Sequence, residues 1–244
     1  MFENKKILSF IGARSGSKGL KNKNILDFGG KPLMNWTIEA SLKSKYIDHT
    51  IVSTDSEIIA KTARDAGADA PFLRPPEISG DNARFSDAIS HCLDWMKKNA
   101  NQVFDFIILL QPISPLRTEK HIDQAIEYYF NKKISDSDTL VSVIQVPNKL
   151  GWIVKGDVNG YIDYCFDMQR LNLQRQQMGN YYLPNGLIYI SPTKSIVQSG
   201  FYTEQTLFYK MSDSDSVDID TQEDFDRALE LLYERAEKGE NFKV

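Results

Sequence analysis

Arg14, Lys18, Lys21 and Lys23 crowd one stretch of the chain, interleaved with Gly12, Gly16 and Gly19 in the run from Gly12 to Asn24. Glycines let the backbone come close to an anion and the cations neutralise it, so this composition suits a phosphate group. Spacing excludes two familiar phosphate loops. A Walker A loop needs four residues between its first glycine and Gly-Lys-Ser/Thr, but the glycine after Gly12 comes early and is followed by Ser17. A dinucleotide loop needs its second glycine where Arg14 stands. The competing interpretation is a solvated basic loop. The apolar run Ile7–Ile11 just before it, and the lack of an acidic residue until Asp27, favour the phosphate site.

A second chemical signal lies at Asp218 and Asp220. In extended backbone, side chains two apart share a face, so both carboxylates project together while Ile219 points inward. Two carboxylate oxygens beside a phosphate suit Mg²⁺, which takes few protein ligands and keeps waters and phosphate oxygens. The alternative is that the pair caps the following helix, where the macrodipole favours negative charge. Thr221 and Asp224, however, have capping-box spacing and leave the pair available. An Asp-x-Asp signal is weak alone; with the basic loop it points to metal-assisted phosphate chemistry. His49, His91 and His121 are scattered without metal-ligand spacing, which makes zinc the weaker option.

Alternating elements must hold these groups. Ile7–Ile11 reads as a buried strand, and Pro32 opens a helix with Met34, Ile38 and Leu42 one turn apart. Thr50–Ser53 is a second strand, followed by a helix capped by Ser56 and stopped near Gly67. Residues 72–82 hold too many breakers for regular structure, and a helix from Phe85 to Lys98 leads into the strand Phe106–Leu110. Ile122, Ala125, Ile126 and Tyr129 mark another helix, with strands at 139–144 and 187–190 after it. Phe225, Ala228, Leu229 and Leu232 stripe a final helix. This rhythm predicts an α/β fold with a mostly parallel sheet, and ligands in such sheets sit outside the carboxyl ends of the strands. The loops after Ile11 and Leu110 therefore border one crevice. Between residues 147 and 184 the alternation stops, and this aromatic-rich excursion suits an interface, a flap or a surface hairpin.

Composition narrows the classes. The 244 residues fit one α/β domain or a domain with an appended module, and the net charge of -4 argues against a broad nucleic-acid footprint. No apolar run approaches the ~18 residues of a membrane span. Cys92 and Cys165 are the only cysteines, and with no signal peptide they lead to the expectation of a reducing cytoplasm.

Together these stretches resemble the bacterial CMP-sugar synthetases, specifically the acylneuraminate cytidylyltransferases. The resemblance rests on Ala13–Gly19 with Lys23-Asn24, on Leu110–Arg117, on Arg175-Gln176, on Asn185–Tyr189 and on Val217–Asp220, all in family order. It implies a Rossmann-like nucleotidyltransferase fold, with helices on both faces of the sheet and a dimerisation excursion at about 147–184 in one domain spanning 1–244. It implies transfer of CMP from CTP to the anomeric hydroxyl of a nonulosonic acid, with Mg²⁺ as cofactor, a homodimer, and neither nucleic acid nor membrane as partner. Arg14, Lys18 and Lys23 would hold the CTP phosphates, and Asp218 with Asp220 the metal. Ala13, Ser17, Asn24, Arg74, Asp81 and Ser86 would complete the nucleotide site. Gln111, Arg175, Asn185, Tyr189, Phe201 and Tyr202 would face the sugar. Lys21–Asn24 matches legionaminate-type enzymes, whereas Gln111-Pro112 is often absent from them, so the acid stays open between sialic and legionaminic types. Kdo-type enzymes, glycosyltransferases with Asp-x-Asp, and nucleotide-sugar binding proteins remain alternatives. No side chain is assigned as general base.

Overall fold

The computed structural model describes residues 2, 4–16, 19–166 and 168–239. The ten strands are β1 (Ile7–Gly12), β2 (Asp27–Phe28), β3 (Lys31–Pro32), β4 (His49–Ser53), β5 (Phe106–Leu110), β6 (Thr139–Val146), β7 (Val154–Gly156), β8 (Ile162–Tyr164), β9 (Tyr181–Pro192) and β10 (Thr206–Lys210). The helices are α1 (Leu33–Lys43), α2 (Glu57–Asp65), α3 (Phe85–Asn99), α4 (Glu119–Lys132), α5 (Thr193–Ser199) and α6 (Gln222–Glu237). Six strands form one sheet in the order β10-β6-β9-β5-β1-β4. Five of them run in one direction; only β9 is antiparallel to its neighbours β5 and β6. The parallel strands β1 and β5 are apolar and buried along their length, as strands covered on both faces must be.

One face of the sheet packs on α1, α2 and α4 through Met34, Ile38, Ile59, Ala63, Ile122 and Ile126. The other packs on α3 and α5 through Ala88, Ile89, Cys92, Met96 and Ile196. A satellite cluster seats α6 against Phe28, Leu33 and Trp36 by way of Ala228 and Leu232. Leu42 is 47% exposed although it shares the α1 stripe. It lies over the turn after α2, where Gly67 adopts a φ of +93° and a Cβ would come within 3.2 Å of it.

Several elements differ from the sequence-based expectation. The strand expected at 187–190 is part of a twelve-residue β9 that already begins at Tyr181, so the excursion ends earlier than residue 184. Gly186, at φ +77°, sits where the β6–β9 register shifts, and that irregularity masks the period-two pattern. The excursion holds short 3-10 turns and the β7–β8 hairpin, whose residues are exposed. The edge strand β10 and the small α5 have no counterpart in the expected order. Among the described residues no helix is long and apolar enough to cross a membrane.

The entry to β6 is fixed by a buried polar contact: the Tyr129 hydroxyl of α4 donates to the Asp138 carbonyl at 2.8 Å. Tyr129→Phe keeps the ring but leaves that carbonyl unpaired, which costs roughly 1–2 kcal/mol. Thermal denaturation should show the melting temperature falling by about 2–6 °C.

Candidate functional site

The carboxyl ends of β1, β4 and β5 open on one edge of the sheet, and the basic loop leaves β1 there. Its start is secured by the backbone: the Ala13 N–H donates to the Ser53 carbonyl at 3.0 Å, continuing the β1–β4 ladder. Asp55, just past β4, then accepts from the Ser15 N–H at 2.8 Å and from the Ser15 hydroxyl at 2.6 Å. Burial pushes the Asp55 carboxyl up, but these bonds and the nearby Arg74 outweigh it and leave the group below its usual range. The Asn24 amide donates to the Arg14 carbonyl at 3.0 Å, tying the far end of the loop to its beginning. Ser17 and Lys18 lie outside the described residues.

Beside this loop is a pocket of about 200 Å³, lined by Gly12, Arg14, Arg74, Asp81 and Phe85 among others. Arg74 is 8% exposed, and its guanidinium donates to the Ser53 hydroxyl at 3.1 Å and carbonyl at 2.6 Å. Burial lowers its pKa, with Asp55 opposing. Arg14 reaches Asp81 at 2.7 Å. Ser86 stands in the first turn of α3, next to the lining residue Phe85. Asp55 and Phe85 were not singled out by sequence. Asp55 had a signal, since it follows the second strand at its carboxyl end; Phe85 had none.

Asp218 and Asp220 lie outside any strand, half-buried and exposed respectively, and Ile219 between them is fully buried, so the alternation expected for the pair holds. Helix capping is not their role. Thr221 and Asp224 close the capping box of α6, with the Asp224 carboxylate accepting from the Thr221 N–H at 2.9 Å. The Lys23 ammonium, 7% exposed, donates to the Ile219 carbonyl and to the Asp220 carboxylate at 2.8 Å. Burial, with the Asp220 charge adding to it, pushes the Asp218 carboxyl up to about 6, and Lys23 offsets this only in part. Asp218 Oδ1 is buried with no hydrogen-bond partner among the described residues. An orphaned, half-desolvated carboxylate beside a second one is a donor set that a hard divalent cation fits. Among the described residues no three acidic, His or Cys side chains converge, so these two would be the side-chain ligands.

On the other flank, the Tyr189 ring on β9 packs against Phe201 at 5.1 Å and Tyr202 at 6.3 Å. Burial raises the Tyr189 hydroxyl, with the Tyr202 hydroxyl and the Asp218 charge adding, so this cluster feels the acid pair. Tyr202 is 59% exposed while Phe201 is buried. Gln111, after β5, has its side chain near Gly186. Asn185 is buried and committed: its amide oxygen accepts from Ser142 at 2.5 Å and its amide nitrogen donates to Ser216 at 3.0 Å. Arg175 begins a 3-10 turn of the excursion, and its side chain lies outside the description. The two flanks meet at the acid pair, since the Ile219 N–H donates to the Ile113 carbonyl of the loop after β5 at 3.0 Å.

A mostly parallel sheet with a basic glycine loop and an acid pair at its carboxyl edge defines a protein of the nucleotidyltransferase kind. The sequence profile described as Cytidylyltransferase matches residues 8–242, and the chain belongs to that family. It is similar to N-acylneuraminate cytidylyltransferase of Streptococcus agalactiae, with 35% identity over 233 residues covering 93% of this chain and 54% of that one. The chain thus spans about half the length of the first such relatives. It is similar also to CMP-N,N′-diacetyllegionaminic acid synthase of Legionella pneumophila, with 36% identity covering 93% of this chain and 96% of the other. Among solved structures, CMP:2-keto-3-deoxy-manno-octonic acid synthetase complexed with CTP superposes with a TM-score of 0.68 over 94% of this chain and 99% of that one. At 14% identity that likeness is one of fold.

The glycine loop makes its closest approach to the protein itself. A Cβ on Gly19 would lie 2.1 Å from the Asp220 carbonyl oxygen, whereas one on Gly16 would meet nothing within 4 Å. Gly19→Ala must therefore force the loop and the Asp220 segment apart, at a cost of about 1–3 kcal/mol. Melting curves should show a clear loss for Gly19→Ala and none beyond about 1 °C for Gly16→Ala.

Proposed function

We propose that this chain transfers CMP from CTP to the anomeric hydroxyl of a nonulosonic acid, releasing pyrophosphate. The observation that carries the proposal is the unpartnered Asp218 Oδ1 beside Asp220 and Lys23, at the edge where the Arg14–Arg74 pocket opens. The family match and the named activities of the relatives supply the chemistry. The pocket takes the nucleoside, with Arg74, Asp81 and Ser86 toward it and Ala13 and Asn24 shaping the loop. Arg14, Ser17, Lys18 and Lys23 face the phosphates. Gln111, Arg175, Tyr189, Phe201 and Tyr202 face the sugar acid, and Asn185 sets the β9 backbone beside them.

In the reaction the sugar hydroxyl attacks the α-phosphorus in line as pyrophosphate leaves. Such a transfer needs positioning and charge stabilisation more than covalent chemistry. Arg14, Lys18 and Lys23 neutralise charge that grows on the leaving pyrophosphate. Mg²⁺, held by Asp218 and Asp220, would supply Lewis-acid charge neutralisation and favour ionisation of the attacking hydroxyl. The excursion is proposed to form a homodimer, because Val158, Tyr161, Ile162, Tyr164 and Phe166 expose apolar surface together. Both cysteines are free thiols, which supports a cytoplasmic location for the same chain.

Pyrophosphate release from CTP tests this reading with N-acetylneuraminate, N,N′-diacetyllegionaminate and Kdo as acceptors in parallel. Turnover is expected with one of the two nine-carbon acids; none with any acceptor, despite CTP binding, would leave a binding protein. Asp220→Asn should lower kcat about a hundredfold, on the order of 3 kcal/mol, with the melting temperature almost unchanged. A lowered melting temperature with activity retained would remove the pair from the metal site.

Light scattering at micromolar concentration should give twice the 27.8 kDa chain mass. A monomer would sink the interface assigned to the excursion.

A further inference from the structure

Arg117 heads the fully buried side chains by volume among the described residues, at 1% exposure. Burial lowers its pKa to about 9, and among the described residues no carboxylate forms an ion pair with it. A desolvated cation without a counter-ion is costly to keep, and a neutral side chain would fill the same space at less expense. What the guanidinium does instead is join three elements. It donates to the Leu187 carbonyl of β9 at 2.7 Å, to the Thr37 hydroxyl of α1 at 2.7 Å and to the Gln111 carbonyl at 3.1 Å.

These acceptors lie about the backbone of Gln111, whose carbonyl also accepts from the Thr37 hydroxyl at 3.4 Å. That carbonyl is one of them. Another directly follows Gly186, where an added Cβ would stand in ordinary van der Waals contact with Gln111 Oε1, at 3.6 Å. The loop carrying Gln111 has Pro112 and Pro115, which contribute no N–H to hold it. A planar fork that reaches several carbonyl and hydroxyl oxygens at once replaces the missing ladder, and neither lysine nor a neutral residue reproduces it.

We propose that Arg117 is the positioning residue of the acceptor half, fixing Gln111 against the Gly186–Leu187 turn so that the sugar acid is held in line with the α-phosphorus. This rests on the cytidylyltransferase reading above. A merely structural arginine would lower stability and leave the balance between the two substrates alone. A positioning one weakens the sugar side selectively, and conserving the charge does not rescue it.

The test uses the full chain, pyrophosphate release with CTP and N,N′-diacetyllegionaminate or N-acetylneuraminate, calorimetric CTP binding and melting curves. Wild-type protein inactive with both acids removes the functional reading, and this proposal with it, before any variant is made. With active wild type, Arg117→Lys should raise the sugar KM by about tenfold or more while CTP affinity stays within about twofold. Thr37→Val, nearly isosteric, removes one acceptor of the fork and should raise the sugar KM by about threefold with the same selectivity. It carries the test alone if Arg117→Lys fails to fold. Sugar KM and CTP affinity weakening in parallel, or a lowered melting temperature with both constants unchanged, would overturn the assignment.

Discussion

The Lys23 ammonium lies almost out of water and is held by two oxygens from residues 196 and 197 positions further along the chain. A desolvated ammonium must be met by acceptors, and here one is a backbone carbonyl that cannot turn away. Placing it therefore draws the whole segment around Ile219 onto the glycine loop. Gly19 permits the approach, because no side chain stands between it and the Asp220 carbonyl. With Ile219 in the core, Asp218 is left half-buried and Asp220 exposed, and it is burial first of all that pushes the Asp218 carboxyl up. The geometry of the acid pair is a consequence of where the lysine goes.

Two of the described cations of the glycine loop are already matched. Arg14 rests on Asp81 and Lys23 on Asp220, while Asp55 holds Ser15. Under the proposed function, an arriving triphosphate exchanges one set of anionic oxygens for another, and no bare charge has to be created first. The flank beside the glycine loop is tied down by backbone and side-chain acceptors alike, as the Arg74 bonds to the Ser53 hydroxyl and carbonyl show. The opposite flank likewise holds a buried guanidinium, Arg117, and adds packed aromatic rings. The two flanks thus use the same kind of anchor, and they touch through the Ile219–Ile113 backbone bond.

Much of this was legible in the residues. The buried strands β1 and β5 are continuous apolar runs, and the caps at Ser56 and Thr221 fall where the spacing placed them. The alternation of Asp218, Ile219 and Asp220 also survives, although the segment pairs with no strand. Less legible was β9, because a left-handed glycine interrupts its period of two. The edge strand β10 has one covered side and reads as loop. Partnerships between distant residues were hidden altogether. Nothing local tells that Asn185 spends its amide on Ser142 and Ser216, or that Arg117 is buried rather than solvated. Composition had likewise suggested that the glycines serve an anion, whereas Gly19 serves a carbonyl of the chain.

The carbonyl that Gly19 receives and the acid pair beside it are the last parts of the site to be made. A chain still on the ribosome, translated as far as β9, already carries the strands β1, β4, β5 and β6 and every described residue of the Arg14–Arg74 pocket, from Gly12 to Phe85. It lacks Asp218, Asp220 and the acceptors that bring Lys23 out of water. Both carboxylates thus come from a segment far along the chain from the pocket they border, and a chain cut ahead of Asp218 keeps the residues of the pocket but none of the charge of the pair.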